Sequence, residues 1–310
     1  MENQQLKTVS NMSSEWANWE RELIRKNSLH NTGDIIQPSS FQEFGIQLVA
    51  DIMDGSKYAN NKVVEEIFDQ MVKSGQPLEG PWHEFHPFIF SAAMSTSNDY
   101  CQKNLVALVI ALAKFPGRQA ITNPSKDEVN ISKAESLFSD LTGFGMMARE
   151  YWNGPGLLLH AYGSHEAAQK AWVNLHRFMA HLSCAQMRDP TDSLDEWVED
   201  FGLWAIAEGL EDQEGVKEWA EAAAAWLLIA GRDIYNDPTW GRRDGNKAPG
   251  VPLRDGPLWD CRLANGATQE SRWEFWKFRL QELTKQAADA AVRNSAQHAL
   301  EAMKRHESPA

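Results

Sequence analysis

The sequence predicts an all-α protein. Apolar residues recur at i, i+3, i+4 and i+7 along most of the chain, the stripes begin and end at cap and stop residues, and no run alternates apolar and polar residues for long enough to be a strand. At 310 residues, 43% hydrophobic and 24% charged, the chain has the composition of an ordinary globular protein and can bury a large core. A polar N-terminal segment, residues 1–40, is expected to precede one multi-helix domain of antiparallel helices, residues 41–307.

The elements follow in order. Phe41, Phe44, Leu48, Val49, Ile52 and Met53 form a stripe closed by Asp54-Gly55, and Val63, Val64, Ile67, Phe68 and Met71 form a second closed at Gly75. These two helices are expected to pair as a hairpin. Gly75 to Pro87 reads as turn-rich, and a helix then runs from about Asn98 to Phe115, stopped by Pro116-Gly117. Ser132 with Glu135 has the spacing of a capping box, and Ser164 and Thr191 are placed to begin later helices. The most regular stripe joins Val216, Trp219, Ala220, Ala223, Leu227, Ala230 and Ile234. Residues 236–268 collect glycines and prolines with no stripe and read as one long loop, a lid, a binding loop or a disordered linker, with Trp240 and Trp259 arguing against disorder. Thr268 is placed to cap a last helix carrying Trp273, Trp276, Leu280 and Leu283, which continues through the alanine-rich segment ending at Met303.

A formal charge of −13 repels a phosphate backbone, so nucleic acid is not an expected partner. The N-terminus lacks the apolar core of a secretory signal, and the longest apolar run, Leu105 to Ala113, is about half of what a membrane span needs. Cys101, Cys184 and Cys261 lie far apart and offer no disulfide framework. A cytoplasmic protein with no membrane association and a frayed start is expected.

No G-x-S-x-G elbow, P-loop or G-x-G-x-x-G fingerprint is present. His83-Glu84-Phe85-His86 brings two imidazoles and a carboxylate close together, but without the i, i+4 spacing of a zinc-hydrolase helix, and Pro87 biases His86 away from helical geometry. A turn with partly buried histidines is the preferred reading, and no metal and no cofactor are expected. Asp192, Asp195, Glu196 and Glu199 have the geometry to hold Mg²⁺ for a diphosphate, although the apolar side of that helix should turn them to solvent. Twelve acidic residues and one basic residue lie between Asp189 and Glu221, and Arg242, Arg243, Lys247 and Arg254 follow in the loop. Those cations either dock the loop on the acidic helices or clamp a substrate carboxylate or phosphate. Thirteen tryptophans are first of all packing material, but Trp also suits a pocket for an apolar ligand.

The C-terminal third carries a resemblance. Gly256-Pro257-Leu258-Trp259 and the helix Arg272-Trp273-Glu274-Phe275-Trp276-Lys277-Phe278-Arg279-Leu280 resemble the closing signature of a fungal family of all-helical proteins of unknown function. Ala223-Ala224-Ala225-Trp226 with Ala230-Gly231 and Tyr235, and Trp172 to Met179, look like two further helices of that family. Together these cover Trp172 to Glu307, whereas the first 150 residues match loosely. Where the family's pattern has a W-x-x-L-P turn, this chain has Trp82-His83-Glu84-Phe85-His86-Pro87. The resemblance implies a cytosolic helical fold and, because members are often found beside secondary-metabolite genes, a role with small molecules. It supplies no catalytic residue.

The resulting expectation is a cofactor-independent tailoring enzyme, cyclase or isomerase-like, acting on a small apolar or aromatic metabolite. His83, His86, Arg242, Arg243 and Arg272 are its catalytic candidates, and Trp82, Trp240, Trp259, Trp273 and Trp276 form its aromatic pocket beneath the loop. The alternatives are a non-catalytic helical interaction or ligand-carrier protein, and a Mg²⁺-dependent cyclase of isoprenyl diphosphates. The oligomeric state is left open.

Overall fold

A computed structural model describes residues 2–32, 34–115, 137–191, 194, 197–236, 256–265 and 270–307. It is all-α, with no strand among the described residues. The helices are α1 (Glu2–Thr32), α2 (Ser40–Asp54), α3 (Asn61–Lys73), α4 (Glu79–Ser95), α5 (Asp99–Ala113), α6 (Phe144–Trp152), α7 (Leu159–Tyr162) and α8 (His165–Arg188). They continue with α9 (Trp197–Ile206), α10 (Val216–Ile229), α11 (Gly231–Asn236), α12 (Pro257–Ala264), α13 (Glu270–Gln286) and α14 (Ala290–His306). A 3₁₀ turn at Pro155–Leu158 precedes α7, and a π-helical turn at Ala207–Glu211 extends α9. The chain divides into two compact units, one of residues 1–178 and 189–194 and the other of residues 179–188 and 195–310. None of the described helices is long and apolar enough to cross a membrane.

In the first unit, side chains set the helix ends. Ser39 and Gln42 form a reciprocal capping box at the start of α2, Asn60 accepts from Lys62 and Val63 at the start of α3, and Asn98 accepts from Tyr100 and Cys101 at the start of α5. Each satisfies amides that the first helical turn leaves without partners. Helix α2 packs against α1, α4 and α5.

In the first unit the segments leading into α2 and into Pro87 depart from the sequence expectation. The N-terminal segment read as polar and frayed is a 31-residue helix, α1, with Val9, Ser13, Trp16, Ala17 and Glu20 buried. Residues from Glu79 onward, read as a turn, are helical straight through Pro87. An internal proline costs about 3 kcal/mol or more by removing an amide and crowding the preceding turn. Against it, Phe85, Phe88, Ile89, Phe90, Ala92, Ala93 and Met94 are all buried, and each large apolar side chain contributes roughly 1.5–3 kcal/mol. Burial wins, so a helix apolar on nearly every face becomes the centre of its unit.

In the second unit, α10 packs against α14, α9 and the π-helical turn, and α13 packs against α14. Ala220 and Ala222 to Ala225 are buried, and their small side chains let neighbouring helices approach closely. The long stripe ending at Ile234 is divided at Ala230 into α10 and α11, and the C-terminal stripe is divided before Asp289, which caps α14 by accepting from Ala291 at 2.7 Å. Residues 257–264, read as part of the long loop, form α12, whereas residues 237–255 and 266–269 lie outside the described residues. The capping roles assigned to Ser132 and Thr268 also fall outside them.

At the centre of this unit the π-helical turn delivers Glu211, fully buried, to four donors. Arg272 Nε donates to Oε1 at 2.6 Å and its Nη2 to Oε2 at 2.8 Å, Trp276 Nε1 donates to Oε1 at 2.7 Å, and the Gly256 amide donates to Oε2 at 2.8 Å. Gly256 has no side chain because a Cβ there would lie 2.4 Å from the Glu211 Cβ. Removing one partner of such a pair leaves the other charge buried and uncompensated, at about 3–5 kcal/mol. Glu211→Ala should therefore lower stability by about that amount in urea unfolding followed by tryptophan fluorescence. A loss below 1 kcal/mol would show that the knot is dispensable.

Candidate functional site

A second buried glutamate is held very differently. The segment Trp16-Ala17-Asn18-Trp19-Glu20 of α1 places Trp16 and Glu20 one helical turn apart on one face, where both are buried. That face meets Ser91 of α4. Trp16 Nε1 donates to Ser91 Oγ at 3.0 Å, and the Ser91 hydroxyl donates to Glu20 Oε2. Among the described residues Glu20 has this one hydrogen bond and no ion pair. Burial raises its carboxyl above the ordinary range, opposed in part by the Ser91 hydrogen bond.

Two phenols share this environment. Burial and the nearby Glu20 carboxylate both raise Tyr151, and burial, Glu20 and Tyr151 together raise Tyr162. The Tyr162 hydroxyl is itself buried without a hydrogen-bond partner among the described residues. A buried polar atom left unpaired costs on the order of 1–3 kcal/mol, so its retention calls for an explanation. The Tyr162 ring stacks on Trp19, with centroids 5.4 Å apart and planes inclined at 26°. Trp19 in turn forms a wall of a surface cleft of about 230 Å³, lined also by Leu23, Lys26 and His30 of α1 and by His160 and Ala161 of α7. Tyr162 therefore links the cleft to the buried carboxyl: its ring backs the cleft wall and its hydroxyl lies in the field of Glu20.

The Trp82, His83 and His86 candidates are also brought together in this unit. His83 and His86 lie one turn apart on α4, with His83 Nδ1 3.3 Å from His86 Nε2. His83 is exposed and His86 is buried against Trp82 and Phe144, its Nδ1 without a partner among the described residues. Burial, with His83 adding to it, lowers His86 to about 4, so at neutral pH it is an uncharged imidazole. Trp82 Nε1 is satisfied by the Thr142 carbonyl at 2.7 Å. Gly143 closes over the histidines: its φ of +78° favours glycine, and a Cβ would sit 3.3 Å from His83 Cε1. Phe144 lies 4.3 Å from Phe90, and Phe90 lies 5.8 Å from Tyr151, so an aromatic row leads from the histidines toward the Glu20 phenols.

The remaining candidates lie in the second unit or outside the described residues. Arg272 is 3% exposed and holds Glu211 through two bonds, with its guanidinium 5.8 Å from the Trp259 ring centroid and 5.4 Å from that of Trp276. Trp259 is fully buried, and Trp273 donates to Glu307 at 2.7 Å. These contacts assemble the unit's own core. Trp240, Arg242 and Arg243 lie outside the described residues, as do Asp192, Asp195, Glu196 and the side chain of Glu199. Among the described residues no group of three His, Cys, Asp or Glu side chains is placed to hold a metal ion.

Sequence reasoning missed Trp16, Trp19 and Glu20. Their signal was present as the spacing Trp16, Trp19, Glu20, Leu23, which follows one helical face but carries an acid in its middle. Ser91, Tyr151 and Tyr162 had no local signature, because what selects them is a tertiary contact.

The architecture and this site describe an all-α protein with a buried, singly hydrogen-bonded acid behind an aromatic cleft wall. A family model described as a protein of unknown function, DUF3632, matches residues 87–280, more than half of the chain, and the chain belongs to that family. Ser91, Tyr151 and Tyr162 lie within the matched stretch, and Glu20, Trp19 and the two histidines lie before it. No curated protein and no solved structure matches the chain.

The buried groups make stability depend on pH in opposite senses. His86 is depressed from 6.5 to about 4, so the unfolded chain binds the extra proton, and its contribution is present above pH 6.5 and lost as pH falls toward 4. The shift corresponds to roughly 3 kcal/mol at most. His176, fully buried and lowered to about 3, acts in the same direction. Glu20 is raised, so its contribution is present below the ordinary 4.5 and is lost as pH rises through its elevated value. Urea unfolding between pH 7 and 5 should show a shallower loss of stability in His86→Leu than in the parent. Glu20→Gln should become relatively more stabilising as pH rises from 5 to 8. A pH slope unchanged by either substitution would contradict these assignments.

Proposed function

We propose that the chain is a small-molecule enzyme of the proton-transfer type, cyclase or isomerase-like, with Glu20 as the proton-exchanging group. The carrying observation is that among the described residues Glu20 is buried with one hydroxyl partner and no cation, beside a phenol whose hydroxyl has no partner there. A carboxyl whose proton burial holds more tightly than usual is a group that general acid–base catalysis can use. Ser91 and Trp16 orient it, and the buried Tyr162 hydroxyl lies close enough to feel its charge. Isomerisation and cyclisation need little more than a positioned proton and a shaped apolar surface. Trp19 and Leu23, which line the cleft, offer such a surface. The resemblance to a fungal family found beside secondary-metabolite genes directs the reading to apolar or aromatic secondary metabolites in the cytoplasm of a fungus.

The test is hydrogen exchange into substrate. Compounds from an aromatic and polyketide-like panel that stabilise the protein against heat are incubated with it in D₂O and analysed by mass spectrometry. Deuterium incorporation, or an isomer of unchanged mass, is expected from the parent. Glu20→Gln, which keeps an acceptor for Ser91, should lower the rate by about 10²–10⁴-fold, the usual contribution of a general acid or base. Binding without incorporation in the parent would favour the ligand-carrier reading, and incorporation unchanged in Glu20→Gln would remove Glu20 from the chemistry.

A further inference from the structure

The cleft outside Trp19 has a composition unlike the rest of this acidic chain, whose net charge is −13. On α1, Trp19, Leu23, Lys26 and His30 follow one face at spacings of four, three and four residues, so an aromatic ring, an aliphatic side chain, an ammonium and an imidazole line one wall. His160 and Ala161 of α7 form the other wall. Glu22 also borders the cleft but is engaged by Arg25 at 3.6 Å. Among the described residues Lys26, His30 and His160 have no ion-pair partner. The α1 wall thus carries an aromatic face at one end, fixed by its stack on Tyr162, and an ammonium and an imidazole toward the other, and His160 adds a second imidazole to the lining.

We infer that this cleft, resting on the acid–base reading above, recognises the substrate as a planar aromatic or conjugated carboxylate. The ring lies against Trp19 and Leu23, and the carboxylate reaches Lys26 with His30 and His160 beside it. Arrangement and size agree with this class. Stacking on Trp places one end of a flat ligand, and an ammonium with two imidazoles supplies charge-assisted donors for an anion at the other. A volume of about 230 Å³ falls below the roughly 300–1,000 Å³ typical of drug-sized ligands, which fits one or two rings. A ligand so placed lies against the outer face of the ring stack whose inner member, Tyr162, carries the unpartnered hydroxyl next to Glu20.

Isothermal titration of the full chain with cinnamate and indole-3-acetate, each paired with its neutral amide, tests this. The carboxylates should bind about tenfold or more tightly than their amides. Lys26→Gln combined with His30→Gln should abolish that preference, and Trp19→Leu should weaken acid and amide alike. Lys26 and His30 are exposed, so the double variant should keep the parent circular dichroism and melting temperature. Equal binding of acid and amide, no binding of any probe, or a preference that survives the double substitution would overturn the inference. The acid–base reading would still stand on deuterium incorporation, so the two can fail separately.

Discussion

A carboxyl removed from water must acquire either cationic and hydrogen-bond partners or a proton, and two buried glutamates among the described residues, Glu20 and Glu211, meet that constraint in opposite ways. Glu211 receives an arginine fork, an indole N–H and a backbone amide, and its neighbourhood is built around those donors down to the missing side chain at Gly256. Nothing there remains to be satisfied by a ligand. Glu20 receives one serine hydroxyl, and the groups around it are phenols and indoles. A carboxyl in that setting holds its proton more tightly than usual.

The scaffold around Glu20 explains why it can remain there. Helix α4, apolar on nearly every face and continuous through Pro87, gives the first unit a centre that does not depend on the polar cluster. Its Ser91 meets α1 and its His86 meets Phe144 of α6, so polar groups are carried on an element whose position is fixed by packing. Catalytic constellations hold their geometry best when the supporting side chains are locked in this way. The histidines obey the same logic: an exposed His83 touches a buried, neutral His86, with Gly143 leaving no space between them and α6.

Much of the fold was legible because it rests on local rules. The stripes from Phe41, Val63 and Val216 and the helix ends at Gly55, Asn98 and Asn236 are read from side-chain period and cap chemistry, which neighbours in sequence determine. The turn expected before Pro87 was outweighed by burial that only the tertiary structure supplies. The site was legible in part. Trp82, His83 and His86 stand together as their sequence clustering suggested, whereas Arg272 and Trp276 are drawn to Glu211, 61 and 65 residues away in sequence. Glu20 escaped notice because an acid in a polar-looking segment reads as solvent-facing until Trp16 and Trp19 are seen on the same helix.

The central claim is that the Glu20 carboxyl exchanges a proton next to bound substrate, and carboxyl ¹³C NMR of glutamate-labelled protein measures it directly, with Glu20→Gln assigning the resonance. The Glu20 signal should titrate above the ordinary 4.5 and should shift when a ligand identified by thermal stabilisation is added. A Glu20 signal that titrates at or below 4.5, and that no bound ligand moves, would contradict the account.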